Sequence, residues 1–346
     1  MATKQQEAAS SSLVKTREKR LRTPGEEKFR REYLGRGFVT FMGLLIIAIT
    51  IAILLFLLVR GTASFTQFKH GVMDFLFSEN WNPTDSFDSP GKGSIGAAVY
   101  IFGSILTCGL AILLATPFSL GAAIFMTEIA PKWGKTIFQP AVEIFVGIPS
   151  IVYGWVGLTV LVPWIRDTFH APVGGYSVLA AVIVLTVMIF PTITTYITDT
   201  IRGVPDSYRQ AAYGMGSTRW QVIKNIVIPA SSTGIYTGII LGLARAFGEA
   251  LAVSMVIGRT RLFPNGILFP TANITGILAS DMGNTIDGSE ANMALWSLAL
   301  LLMVISILFI VLIHVFSNVQ KNKLEQQMSA MKAAEKADAD LDEEVV

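Results

Sequence analysis

Apolar residues in this 346-residue chain fall into long runs separated by polar, charged segments. Crossing the hydrocarbon core of a bilayer takes about 20 apolar residues. Six stretches reach that length: Phe38 to Val59, Ser94 to Ala115, Ile137 to Val162, Ser177 to Ile201, Gly234 to Ile257 and Met293 to Val315. The pattern therefore predicts an all-α integral membrane protein with six transmembrane helices. A seventh run, Phe118 to Met126, is too short to cross; following Pro117, it reads as a continuation of the second helix or an interfacial turn.

The polar segments set the organisation. The expected layout is a tail over 1–37, a first span over 38–59, a core of five spans over 94–317 that includes a loop at 204–233, and a second tail over 318–346. With the N-terminus inside, twenty Lys and Arg flank the spans on the inner side and six on the outer side. That bias places both termini in the cytoplasm. Two outer loops, Thr62 to Gly93 with Asp74, Glu79, Trp81, Asp85 and Asp88, and Arg259 to Asn292, are long enough to be docking surface or solvated connection.

Composition agrees. Charged residues make up 15% of the chain, against about 25% in soluble domains, and mean hydropathy is +0.55. The net charge of +2 carries no message about nucleic acid, because the basic residues are sorted by membrane side. One cysteine, Cys108, allows no intrachain disulfide and no thiolate metal site. The N-terminal stretch lacks a short apolar core followed by an Ala-x-Ala cleavage site, so the first span is expected to stay as an anchor.

Candidate chemistry sits in the fifth apolar stretch. From Gly234 to Ile257, Arg245 and Glu249 are the only charged residues. Charges at mid-depth cost a few kcal/mol or more and mark a substrate or ion path. At i, i+4 spacing the two side chains share one helix face, which is expected to look into protein or water and not lipid. A guanidinium presents a planar fork of donors suited to a tetrahedral oxyanion, and a carboxylate can accept the proton that phosphate carries and sulfate lacks. A phosphate station is one reading; an ion pair that neutralises itself or bonds a neighbouring subunit is the other. Pro149, between Gly147 and Gly154, and Pro191 are candidate kinks, with Ser150, Tyr153, Thr192 and Thr195 as nearby polar groups; Glu143 and Asp199 mark the inner ends of their spans.

The loop before that span carries the most specific pattern. Ser207 to Tyr213 reads as a short helix, Gly214 and Gly216 as a turn, and Thr218 to Ile228 as a second helix with Trp220, Val222, Ile223 and Val227 free to pack, ended by Pro229. Gln210, Ala211, Ala212, Gly216, Ile226 and Pro229 follow the spacing of the EAA loop, and this stretch resembles that loop of ABC importer permeases. Gln210 stands where the family has Glu, and Ile228 where it has Leu. Gly147 to Gly154 and Arg245 to Val253 resemble the phosphate-specific members, and the second is closer to their PstC type than to PstA, although Ala250 and Leu251 replace the usual Thr and Met.

The resemblance implies a MetI-like core of five helices plus one N-terminal helix in the bacterial inner membrane. It also implies a role without catalysis: half of a phosphate pathway, with Arg245, Glu249, Ser150 and Tyr153 along it and the EAA-like residues contacting an ATPase. The implied partners are a related permease of PstA type, two ATPase subunits that use ATP and Mg, and an extracytoplasmic phosphate-binding protein. The alternatives are a permease for molybdate or sulfate and an ion-gradient-driven secondary transporter. Gly134-Lys135-Thr136 is not a P-loop, since Ile129 stands where the first Gly belongs. His70, His170 and His314 are scattered, so no metal, cofactor or hydrolytic site is expected in the chain itself.

Overall fold

The computed structural model describes residues 35–84 and 91–312, with residues 315 and 318. Asp85, Asp88 and nearly all of the two tails lie outside them. Two units divide the chain after Val59. The described part of the first belongs to helix α1, Gly35–Gly61, whose apolar side chains are exposed nearly throughout, as a lipid-facing helix requires.

Apart from two short helices between residues 62 and 93, the second unit holds the following α-helices. They are α2 (Ala98–Ile129), α3 (Pro131–Gly147), α4 (Ser150–Phe169), α5 (Val178–Arg202), α6 (Asp206–Gly214), α7 (Arg219–Ala230), α8 (Ser232–Gly248), α9 (Leu251–Val256), α10 (Ile274–Asp281) and α11 (Glu290–Leu312). The short run Phe118 to Met126 is indeed a continuation: α2 passes through Pro117 and ends in a π-helical turn, Phe125–Ile129. Helix α5 likewise runs through Pro191 without interruption and starts at Ser177, whose hydroxyl accepts from Ala180 N at 3.2 Å.

Two predicted spans are broken. The third is a pair, α3 and α4, bent by 92° at Ile148 and Pro149, because Pro149 cannot donate and holds an extended backbone. The fifth is also interrupted: α8 ends at Gly248, Glu249 is extended (φ −79°, ψ 118°), and α9 begins at Leu251. Four described helices are long and apolar enough to cross alone, and six spans result if each bent pair, α3 with α4 and α7 with α8, counts as one.

Helix α5 is the centre of the core, packed between α2 and α8. Leu185, Ile189, Ile193, Ile197 and Ile201 are fully buried along it. A second apolar cluster joins the segment 62–97 to α10 and α11 through Phe75, Trp81, Ile95, Ile274 and Leu298. The described part of Thr62 to Gly93 is thus folded, with helices Ala63–Thr66 and Val72–Phe77 and a two-residue antiparallel ladder, Trp81–Asn82 with Ser94–Ile95. Buried Glu290 fastens it, accepting from Thr84 Oγ1 (3.0 Å) and Gly91 N (3.2 Å) and pairing with His70 Nε2 (2.8 Å).

Candidate functional site

Arg245 lies in the last turn of α8. Its Nη1 donates to Thr192 Oγ1 of α5 at 2.5 Å. Thr192 is near the middle of α5, so the guanidinium stands at mid-depth in the bundle. Its other donors have no hydrogen bond among the described residues, and the side chain is half-buried.

Glu249 does not share a helical face with Arg245, because the helix has ended between them. Gly248 supplies the weak point, having low helix propensity and no side chain to pack. Among the described residues no ion pair joins the two side chains, so the self-neutralising pair does not form. Each charge instead sits at a favourable helix end: Arg245 near the carbonyl terminus of α8, and Glu249 at the amide terminus of α9, where Oε1 accepts from Ala252 N at 3.0 Å. The carbonyl of Glu249 accepts from Thr275 Oγ1 at 2.7 Å, and Asn273 Nδ2 donates in turn to Thr275 Oγ1 at 2.8 Å.

Helix α4 closes one side. A Cβ at Gly154 would stand 2.8 Å from Ala252 Cα, so only glycine lets α4 approach α9 this closely. That approach brings Ser150 and Tyr153, both half-buried, to the same end of the broken span. The Tyr153 hydroxyl donates to Phe145 O at 2.7 Å across the bend. Tyr153 also borders an apolar groove of about 470 Å³ with Val152, Val156 and Val187. Thr195 Oγ1 donates to Pro191 O of its own helix at 2.9 Å. Glu143 accepts from Gln139 Nε2 at 2.9 Å.

The EAA-like loop forms the expected pair of helices with shifted ends. Helix α6 includes Gly214, and the turn falls on Met215 and Gly216, the latter at φ +81°. Helix α7 starts under a capping box made by Thr218 and Gln221 and runs past Pro229 to Ala230, because proline is tolerated at the first position of a new turn after the π segment Ile223–Val227. Val222, Ile223 and Val227 are buried, whereas Trp220 is exposed. Gln210, Ala211, Gly216 and Pro229 are exposed, Ile226 is half-buried and Ala212 is buried. With Tyr208, Tyr213 and Met215, the exposed positions form an apolar and aromatic handle.

Sequence reasoning missed three participants. Thr275 and Asn273 reach the break in the fifth span from the loop after it, and no local pattern announces that contact. Glu128, buried at the end of α2, pairs with Arg209 Nη2 at 2.8 Å; its signal was an acid at the end of an apolar run.

The family model for binding-protein-dependent transport system inner membrane components matches residues 115–322, enclosing both the handle and the Arg245–Glu249 break. The probable ABC transporter permease protein YqgH of Bacillus subtilis is 47% identical over 84% of this chain and 92% of its own length. The phosphate transport system permease protein PstC of Haemophilus influenzae is 31% identical over 81% of this chain and 91% of its own, and that of Xylella fastidiosa 34% identical over 69% and 77%. Among solved structures, a bacterial alginate ABC transporter bound to its alginate-loaded periplasmic protein shares the fold, with a TM-score of 0.57 at 15% identity over 85% of this chain and 99% of the matched one.

Proposed function

The chain belongs to the binding-protein-dependent transport system inner membrane components, and on that premise we propose that it is the PstC-type permease subunit of an ATP-driven importer of inorganic phosphate. The observation that carries this reading is the position of Arg245: mid-depth, held on Thr192, with donors to spare and no carboxylate bonded to it among the described residues. A tetrahedral oxyanion fits those donors. Glu249 keeps a second carboxylate oxygen beyond the one that caps α9, and can accept the proton of phosphate. The named PstC relatives support the same cargo. Ser150 and Tyr153 line the passage from α4.

The chain supplies half of the pathway and catalyses no reaction. A related permease of PstA type covers the open side, two ATPase subunits use ATP and Mg, and an extracytoplasmic phosphate-binding protein delivers the anion. Gln210, Ala211, Ala212, Gly216, Ile226 and Pro229 form the ATPase handle. Because α7 leads through Ser231 into α8, movement of the handle is transmitted to Arg245. In this reading both termini lie in the cytoplasm and the chain divides into 1–37, 38–59, 94–317 and 318–346. Reconstitution with the partner subunits tests it: phosphate uptake should require ATP and exceed sulfate uptake. Uptake that persists on a proton gradient without ATP would replace it with a secondary transporter.

A further inference from the structure

A small polar cavity of about 80 Å³ lies among the start of α2, the segment after α9, and α10. It is far from the ATPase handle. Tyr100 lines it near the start of α2, whereas Glu128, which bonds the handle, is 28 residues further along that helix. At 1.5 Å per residue that is roughly 42 Å, about the thickness of a bilayer. At about 80 Å³ the cavity has room for a small ion and falls far short of the roughly 300 Å³ or more that a drug-sized ligand takes.

The lining is unusual in charge and in satisfaction. Arg259 and Arg261 face one carboxylate, Asp281, which bonds Arg261 Nη2 at 3.1 Å; one positive charge is left over. Arg259 is in no ion pair among the described residues. Its Nε donates to Ser254 O at 3.2 Å, and its backbone is held at φ +52°. That conformation is uncommon for a side chain other than glycine and costs of order 1 kcal/mol or more. Hydrogen bonds from Thr271 N to Ile257 O and from Thr260 N to Thr271 O fix it from either side.

Two deeply buried residues of the lining keep oxygens without a partner among the described residues, Tyr100 Oη and Asn273 Oδ1. Trp81 packs edge-on against the Tyr100 ring, so the phenol cannot swing out to water. A buried hydroxyl with no partner is destabilising unless something else supplies its bond. The Asn273 orientation follows from its neighbour: the Thr275 hydroxyl spends its proton on Glu249 O, so Asn273 must present nitrogen to Thr275 and turn oxygen elsewhere.

We propose that this cavity is a second anion station, which receives one phosphate at the end of the bundle opposite the ATPase handle before it passes to Arg245. Arg259 and Arg261 supply the charge, the Tyr100 hydroxyl donates to a phosphate oxygen, and Asn273 Oδ1 accepts a phosphate proton. Sulfate has no proton to give and leaves Asn273 unpartnered. The chain from Asn273 through Thr275 to the Glu249 carbonyl connects this station to the break in the fifth span. The identity of the anion rests on the phosphate reading above; the site itself does not need it.

The test uses the assembled importer in lipid nanodiscs, with inorganic phosphate and sulfate as probes. In a complex carrying Arg245→Gln, which lacks the mid-depth station, phosphate should still bind to the permease. Adding Tyr100→Phe or Arg259→Gln should weaken that binding about tenfold or more, without lowering thermal stability for Tyr100→Phe. With Arg245 intact, each variant should raise the half-saturating phosphate concentration for uptake by a similar factor. Unchanged binding and uptake in both variants would overturn the second station while leaving Arg245 in place. Loss of response to the extracytoplasmic binding protein, with direct phosphate binding unchanged, would overturn it in favour of a protein-docking role. Normal uptake by Arg245→Gln alone would count against the mid-depth station and not against this one.

Discussion

Arg209 Nη2 donates to Glu128 Oε1 at 2.8 Å, and both side chains are largely buried. The same guanidinium donates to Val204 O at 2.6 Å and Ile201 O at 3.1 Å, while Arg219 bonds the Glu128 carbonyl. The handle is therefore fastened to the end of α2 by buried, charge-assisted bonds, and a push on α6 is carried into the bundle.

Removing Glu128 takes the buried partner from Arg209 and leaves it, among the described residues, only the exposed carboxylate of Asp206, at 3.1 Å from Nη1. Glu128→Ala should destabilise the chain by about 3 kcal/mol, read as a lower midpoint of thermal unfolding. Glu128→Leu with Arg209→Leu should recover much of that stability and still uncouple ATP hydrolysis from uptake. Recovery of both together would show that the pair does nothing for coupling.

Gly154 is where α4 meets α9. Gly154→Val forces the helices apart, at an expected cost of about 1–3 kcal/mol, and moves Tyr153 and Ser150 away from the broken span. Phosphate uptake should fall with Arg245 and Glu249 both intact. A variant that transports normally would mean that this contact does not shape the pathway.

Glu249 has two duties that substitutions separate. Glu249→Gln keeps an oxygen to accept from Ala252 N, so stability should hold while phosphate uptake drops. Glu249→Ala removes the capping acceptor as well, and should lose about 1 kcal/mol of stability in addition. Equal uptake by the Gln variant and the unaltered chain would reduce Glu249 to a cap.

Much of this was legible in the sequence, for reasons of energy. Arg245 and Glu249 stood out because charges in an apolar run are costly, and Gln210 to Pro229 stood out because its glycine and proline spacing dictates a turn between helices. The breaks were hidden for a different reason. A run of apolar residues long enough to cross satisfies the length test whether or not it is one helix, so Gly248 alone could not announce that Glu249 is extended. Pro149 did announce a kink, but not its 92°, which depends on packing against α5 and α9. The bonds of Thr275 to Glu249 and of Arg209 to Glu128 join residues 26 and 81 apart in the chain, and such pairings are set by tertiary contact rather than by local pattern.

Arg245→Gln provides the most direct measurement. In proteoliposomes holding the assembled importer, ATP-driven phosphate uptake should fall about 10–100-fold, the loss expected for charge-assisted hydrogen bonds to an anion, while the ATPase subunits still co-purify. Uptake within about twofold of the unaltered importer, a difference of well under 1 kcal/mol, would contradict the central claim that phosphate passes along Arg245.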